Sequence, residues 1–564
     1  MTVWLVTVLL FCIFWTAAFA APFETGVHGG TLRVGQKAEP KTLNPLVAID
    51  APSREVIRLL HADLITINRH TQHTEPALAT SWKASTDGRS FTVELRKGVR
   101  FSDGHAFDAD DVLFTFQVYT DQAVAAPQRD LLLVGGEPVR VRKTGSHTVV
   151  VTLSQPYAAA ERIFDGIAML PRHLLEDDYR AGRLAKIWTV ASTPESMAGL
   201  GPFRFREHKP GEWIRLERNP HYWKNDAKGR RLPYFDEILM RATGSEENQV
   251  IRFLAGELDV LGRLTARSFA TLEQKGMGDV QLVDAGSSLE YNVAFFNLNA
   301  SAPAPVAAKQ VWFSDKRFRQ ALSLAADREG MAKLVYGGRA TPIWGHVPPG
   351  NRLWAAKDIA RPPRSISAAK QMLKQSGFRW DSAGGLLDRA GRPVRFSIAV
   401  ASSNSERSRL ATMLASDWRE IGMEVQVVPL EFRALLDRLM NSKDYDACVL
   451  GLGGGDADPN PEMNIWLSSG SMHLWNPQQK SPATPWEARL DELMRQQMTT
   501  PDLAARFALF REVQQIVAEE KPVISLVSPN VLVGARRSVG NFRPAILDSY
   551  ALWNAEYLFR VAKP

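Results

Sequence analysis

Residues 445–461 read YDACVLGLGGGDADPNP: a short apolar run, then four glycines and two aspartates before the closing prolines. An apolar run of this length bounded by turn residues predicts a buried strand. The glycine-rich loop after it could be a phosphate cradle, a metal loop, or the rim of a cleft holding a charge. The segments just upstream narrow the choice. Periodicity predicts a strand over 394–400, a helix over 405–421 stopped by Gly422, a strand over 423–428, a helix over 431–440 and then the strand over 445–451. That βαβαβ order makes the fold class α/β, with a parallel sheet covered by helices.

Three motif templates fail on the loop itself. A dinucleotide fingerprint needs a third glycine where Asp456 stands, and an aspartate there repels a pyrophosphate. A Walker loop needs Gly-Lys-Ser/Thr after its glycines, and the run carries no lysine. An EF-hand fits at Asp456, Asp458 and Asn460, then meets Pro461 where glycine is required and Leu467 where the bidentate glutamate belongs. Strand position remains. Ligands of parallel α/β sheets sit beyond the carboxyl ends of the strands, and glycines there allow close backbone approach. An aspartate at that edge either pairs with a cationic ligand group or is a solvated turn residue, and the pattern leaves both open.

The bulk composition fits a globular protein: 564 residues, 45% hydrophobic, 23% charged, net charge +7 and a pI near 9.3. The densest basic cluster, Lys228-Gly-Arg-Arg231, is flanked by Asp226, Asp236 and Glu237, so there is no one-signed stripe and no nucleic acid partner is expected. Val3 to Ala20 is apolar apart from two threonines and ends Ala18-Phe19-Ala20, which predicts a signal peptide over 1–20, although no Lys or Arg precedes Arg33. Cys12 follows Phe11 rather than a small residue, so lipidation is not expected, and removal of the segment leaves Cys448 alone with no internal disulfide.

Other motifs are local. Asp108 and Asp111 predict a capping box on a helix running to Tyr119. His70, His73 and Glu75 have a spacing that could bind a metal, but they lie in polar sequence before Pro76 that suits a hairpin tip. There is no H-E-x-x-H, no G-x-S-x-G and no activated cysteine, so no enzyme and no cofactor is expected. Trp344, Trp466 and Trp475 fall in loop-rich sequence, where a tryptophan lines a cleft or simply packs.

Several stretches together, in order, resemble the family 5 extracellular solute-binding proteins, the oligopeptide and dipeptide receptors of ABC importers. They include Glu39-Pro-Lys-Thr-Leu-Asn-Pro45, Pro76-Ala-Leu-Ala-Thr-Ser-Trp82, Val99-Arg-Phe-Ser-Asp-Gly104, Gly199-Leu-Gly-Pro-Phe203, Glu217-Arg-Asn-Pro-His-Tyr-Trp223, Phe313-Ser-Asp-Lys-Arg-Phe-Arg-Gln-Ala-Leu322 and the loop Asp456-Ala-Asp-Pro459. The resemblance implies a two-lobed periplasmic-binding-protein fold. Lobe I would comprise 22–51, 191–290 and 523–564, an extra domain would be inserted at 52–190, and lobe II would span 291–522. The hinge is expected near Asn297 and near Ser525.

The resemblance also implies a substrate site. Asp456 matches the acidic position that pairs with a peptide's amino terminus, and Glu39 an acidic position on the facing lobe. Asp458, Tyr291 and Trp475 complete the candidate set. The chain departs from the family where Gly451–Gly455 replaces a usual tryptophan and where Leu450 stands in place of an arginine found in oligopeptide receptors. The expected function is therefore a monomeric periplasmic receptor that delivers peptides to an inner-membrane ABC permease. A non-peptide solute such as an opine-like or sugar-containing compound is the alternative, and a metal-dependent hydrolase using His70, His73 and Glu75 is the rival from another class.

Overall fold

The computed structural model describes residues 22–453, 456–477 and 479–561, so the expected signal segment and Gly454 and Gly455 lie outside the described residues. Two sheets divide the strands between two lobes of an α/β fold. In the first, the order is Phe203–Lys209, Trp213–Arg218, Glu237–Ala242, Thr31–Gln36, Val260–Leu264, Val527–Arg536, Val280–Ser287. Thr31–Gln36 runs parallel to both of its neighbours and buries Leu32 and Val34, as its alternation requires. Val527–Arg536, from the far end of the chain, lies antiparallel between Val260–Leu264 and Val280–Ser287.

The second sheet has the order Glu424–Leu430, Arg395–Ala401, Ala447–Leu452, Tyr291–Phe296, Val523–Ser525. Its first three strands are the predicted βαβαβ unit and pair in parallel. Helix Ser405–Glu420 covers them with Leu410, Leu414 and Trp418, all fully buried. The sheet is mixed, however, because Tyr291–Phe296 runs antiparallel to both neighbours. That strand arrives through a short link from the first sheet and pairs with strands far along the chain.

The link corrects one expectation. The chain leaves the first sheet at Ser287 and enters the second at Tyr291, so the crossing is at residues 288–290 and not near Asn297. Every residue of Tyr291–Phe296 is buried, which marks it as a central strand of the second sheet. The return crossing is at Leu526, between Val523–Ser525 and Val527–Arg536.

The stretch between the first sheet's opening strand and its hairpin carries its own antiparallel sheet, ordered Ala79–Ala84, Ser90–Leu95, Thr148–Thr152, Arg140–Gly145. Against it lies helix Ala109–Thr120 with the predicted capping box: Asp108 accepts from Asp110 N at 2.8 Å, and Asp111 accepts from Asp108 N at 3.0 Å. No helix among the described residues is long and apolar enough to cross a membrane.

Candidate functional site

Gly451 and Gly453, at the end of Ala447–Leu452, are explained by what passes over them. Gly451 sits opposite Asn292 in the ladder, and a side chain on it would run into the guanidinium of Arg407. Arg407 reaches from the first turn of helix Ser405–Glu420 to Asn292 Oδ1 and to Glu290 Oε1, both at 3.0 Å. Glu290 lies in the link between the sheets, and its other oxygen takes Arg263 of the first sheet at 2.6 Å. Gly453 has φ of +81°, and a Cβ there would meet the Leu289 carbonyl and the Tyr291 ring. Gly451 and Gly453 thus let Arg407 and the link between the sheets lie close against the strand end.

Beyond them, Asp456 meets a cation from the inserted segment. Arg162, on the 3-10 turn Ala160–Phe164, donates to it in bidentate fashion, with Nε 2.9 Å from Oδ2 and Nη2 on Oδ1. Arg162 also donates to the Gln72 carbonyl at 3.1 Å. Burial works against its charge, but the hydrogen bond and field of Asp456 outweigh burial and hold its pKa above the usual value. The Asp456 side chain keeps 23% of its area exposed and the Arg162 side chain 11%, so the carboxylate reaches the rim while the guanidinium approaches it from a more enclosed position.

Asp458 is placed differently. Its two oxygens accept from Arg506 Nη1 and Nη2 at 2.7 Å each, and the side chains are 3% and 4% exposed. Arg506 is further fixed by the Gln497 carbonyl, by Asn460 and by the face of Trp354, 4.7 Å away. Asp458 therefore ties the loop to helix Leu503–Glu520 and is turned away from solvent.

Under the loop lies a wall of polar atoms with unused bonding capacity. Tyr291 is fully buried and its hydroxyl has no hydrogen-bond partner among the described residues; burial and then the nearby Glu462 push its pKa well above the usual phenol. Burial pushes Glu462 up to about 7, although Trp466 Nε1 donates to it at 2.9 Å. His346 packs 4.2 Å from Trp466 with neither ring nitrogen bonded, and burial pushes its pKa down to about 3. Trp475, also fully buried, packs 6.0 Å from Trp466 and gives its N–H to Glu487 at 3.2 Å.

Glu39 stands apart from this group. Its carboxylate accepts from the Gly211 amide at 2.5 Å and lies 3.3 Å from His208 Nε2, both on the hairpin of the first sheet. Among the described residues, no hydrogen bond or ion pair joins it to the Asp456 loop. His70 and His73 bracket the turn between paired strands Ile65–Ile67 and Thr74–Pro76, Glu75 accepts from Asn68, and His70 meets the edge of Trp553 at 5.1 Å. No group of three or more metal-binding side chains is present among the described residues. The sequence did not single out Arg162, Glu462 or His346. Arg162 and His346 acquire their roles from neighbours far along the chain, Glu462 from its burial beside Trp466, and none sits in a motif that marks it.

Comparison with known proteins agrees with the two-lobed geometry. The curated oligopeptide-binding protein AppA of Bacillus subtilis is 26% identical over 512 residues, covering 89% of this chain and 87% of that one. Di/tripeptide-binding protein 2 of Pseudomonas aeruginosa is 26% identical over 547 residues, covering 93% and 94%. The solved structure of Bacillus subtilis AppA in complex with a nonapeptide superposes with a TM-score of 0.70 at 25% identity, covering 95% of this chain and 100% of that one. The family model described as bacterial extracellular solute-binding proteins, family 5, matches residues 73–473 and so takes in the Asp456 loop, its Arg162 partner and most of the second sheet. The chain belongs to the bacterial extracellular solute-binding proteins of family 5.

Proposed function

We propose that the chain is the periplasmic receptor of an ABC importer, taking peptides with a free amino terminus and presenting them to an inner-membrane permease. The observation that carries this reading is Asp456: a carboxylate at the carboxyl end of a strand, taking a bidentate cation from a different part of the chain. A peptide ammonium supplies the same charge and N–H donors, so it can replace Arg162 without leaving the carboxylate unpaired. The relatives named as oligopeptide- and di/tripeptide-binding proteins support the peptide class. In this reading Glu39 and Tyr291 face the ligand, while Asp458 and Trp475 act from beneath by holding the loop. The receptor works as a monomer, is exported by residues 1–20 and catalyses no reaction. Its closure around ligand is what the permease reads, because closure fixes the two lobes in one register.

Native mass spectrometry of the purified protein identifies the co-purified ligand, and calorimetry then measures it against Asp456→Asn. We expect affinity to fall by about 1–3 kcal/mol, the scale of a charge-assisted hydrogen bond. Unchanged affinity removes Asp456 from the site. Because Arg162 already neutralises Asp456, a second reading stands beside the first: a solute without an amine. Equal binding of a peptide and its N-acetylated form favours that second reading.

A further inference from the structure

A cavity of about 330 Å³ opens where the first lobe, the inserted segment and the C-terminal stretch meet. Its lining residues run from Phe23 to Lys224 and from Ser549 to Tyr557, so the second lobe and the Asp456 loop contribute nothing to it among the described residues. Helix Ala51–Leu60 presents Glu55 and Arg58 to this space, three positions apart and therefore neighbours on one helix face.

The cavity gathers bonding groups of both signs that the protein leaves short of partners. The Arg58 guanidinium makes no hydrogen bond and no ion pair among the described residues, although the fields of Asp165, Asp548 and Asp63 act on it. Arg69, 6% exposed, approaches Asp165 only to 3.8 Å. His61, 5% exposed, has neither ring nitrogen bonded. On the acidic side, Glu55 takes one donor, Gln36 Nε2 at 2.9 Å, and Asp63 takes the Gly166 amide at 2.8 Å. Burial pushes Glu55 up to about 7, and burial with the nearby Asp165 carboxylate pushes Asp63 up against the opposing fields of Arg58 and Arg69. Ile57, Ile65 and Trp553 supply apolar wall.

Buried donors are ordinarily satisfied, so His61 and Arg69, buried and short of partners beside a roomy space, mark where a ligand or water belongs, and Arg58 opens onto the same space as an exposed guanidinium. A guanidinium wants a carboxylate, which it binds through paired N–H groups, and an under-compensated pair of carboxyls wants an ammonium. We propose that this cavity is a second binding site, for a small zwitterion of the free amino-acid type, with its carboxylate on Arg58, its ammonium on Glu55 and Asp63, and an aliphatic side chain against Ile57 and Trp553. Because the second lobe takes no part, binding here needs no closure of one lobe on the other, and it stands independently of the ligand read by Asp456.

The test is calorimetric titration of the full chain with free L-leucine, in the native protein, in Asp456→Asn and in Arg58→Met. We expect one saturable leucine site per chain, of the same affinity within about twofold in Asp456→Asn and at least about tenfold weaker in Arg58→Met, with Arg58→Lys recovering part of the loss. Absence of leucine binding to the native chain at millimolar concentration overturns the proposal. So does a leucine site lost in Asp456→Asn and kept in Arg58→Met, which assigns it to the cleft between the lobes. If circular dichroism shows Arg58→Met unfolded, Ala62→Phe fills the cavity instead, and leucine binding at native strength in that variant overturns the proposal equally. A peptide affinity untouched by Asp456→Asn counts against the peptide reading alone and leaves the leucine test intact.

Discussion

Two aspartates two positions apart on one loop each hold an arginine in bidentate fashion, and the two pairs do different jobs. Asp458 and Arg506 are both inside the second lobe, nearly without solvent, and surrounded by further bonds to Gln497, Asn460 and Trp354. Asp456 and Arg162 belong to different parts of the chain, and their side chains keep 23% and 11% of their surface in contact with solvent, against 3% and 4% for the interior pair. Chemistry is constant across the pair, so location decides. A buried ion pair cannot exchange partners, because each charge would first have to be stranded in low dielectric. A rim pair can exchange, because water covers the carboxylate while one cation leaves and another arrives. Glu462, a few residues on, is a third case: a carboxyl with a tryptophan N–H but, among the described residues, no paired cation, so burial pushes its pKa up to about 7.

The largest effect should come from the interior pair. Asp458→Ala strands the Arg506 charge in the core, and chemical denaturation should show a loss of about 3–5 kcal/mol. A loss below about 1 kcal/mol would mean that Asp458 is not the fixed member, and the contrast with Asp456 would collapse.

Glu462 gives the next effect, readable against pH. Its folded pKa of about 7 lies above the ordinary value of 4.5, so the folded state binds the proton more tightly than the unfolded chain. The stability it contributes is full below about pH 4.5 and is lost as pH rises through about 7. His346, pushed down to about 3, works in the opposite sense: its contribution is full above about 6.5 and fades toward pH 3. Glu462→Gln removes only the first term. Between pH 5 and pH 8 the variant should therefore gain about 2–3 kcal/mol relative to the native protein. A difference that stays flat over that interval sinks the claim that Glu462 lacks a cation.

Much of this frame is legible in the sequence where the information is local. The βαβαβ unit follows from periodicity, and the Asp108 capping box from four adjacent residues. The mixed character of the second sheet was hidden, because Tyr291–Phe296 pairs with strands more than 150 residues downstream, and periodicity carries no direction. The site was half legible. Asp456 stands out by its place after a strand end, but its partner Arg162 is 294 residues away in an unremarkable alanine-rich stretch. Gly451 and Gly453 announce that something passes close, and only the fold says that it is Arg407 and the Leu289 carbonyl.

The smallest stability effect, and the sharpest use of the contrast, belongs to Arg162→Met. Methionine keeps much of the apolar stem and removes the charge, so Asp456 is left to water that already reaches it. Unfolding free energy should drop by less than about 1 kcal/mol, as for other pairs near the surface. Binding should move the other way. If the ligand ammonium has to displace Arg162, deleting that internal competitor returns the pair's worth to the ligand, and about 1 kcal/mol corresponds to roughly fivefold tighter peptide binding. Calorimetry on Arg162→Met beside Asp456→Asn separates exchange from support. Tighter binding in the first and weaker in the second means that guanidinium and ligand compete for one carboxylate. Weaker binding in both means that Arg162 orients Asp456 for the ligand, and the rim pair would then be as fixed as the pair in the core.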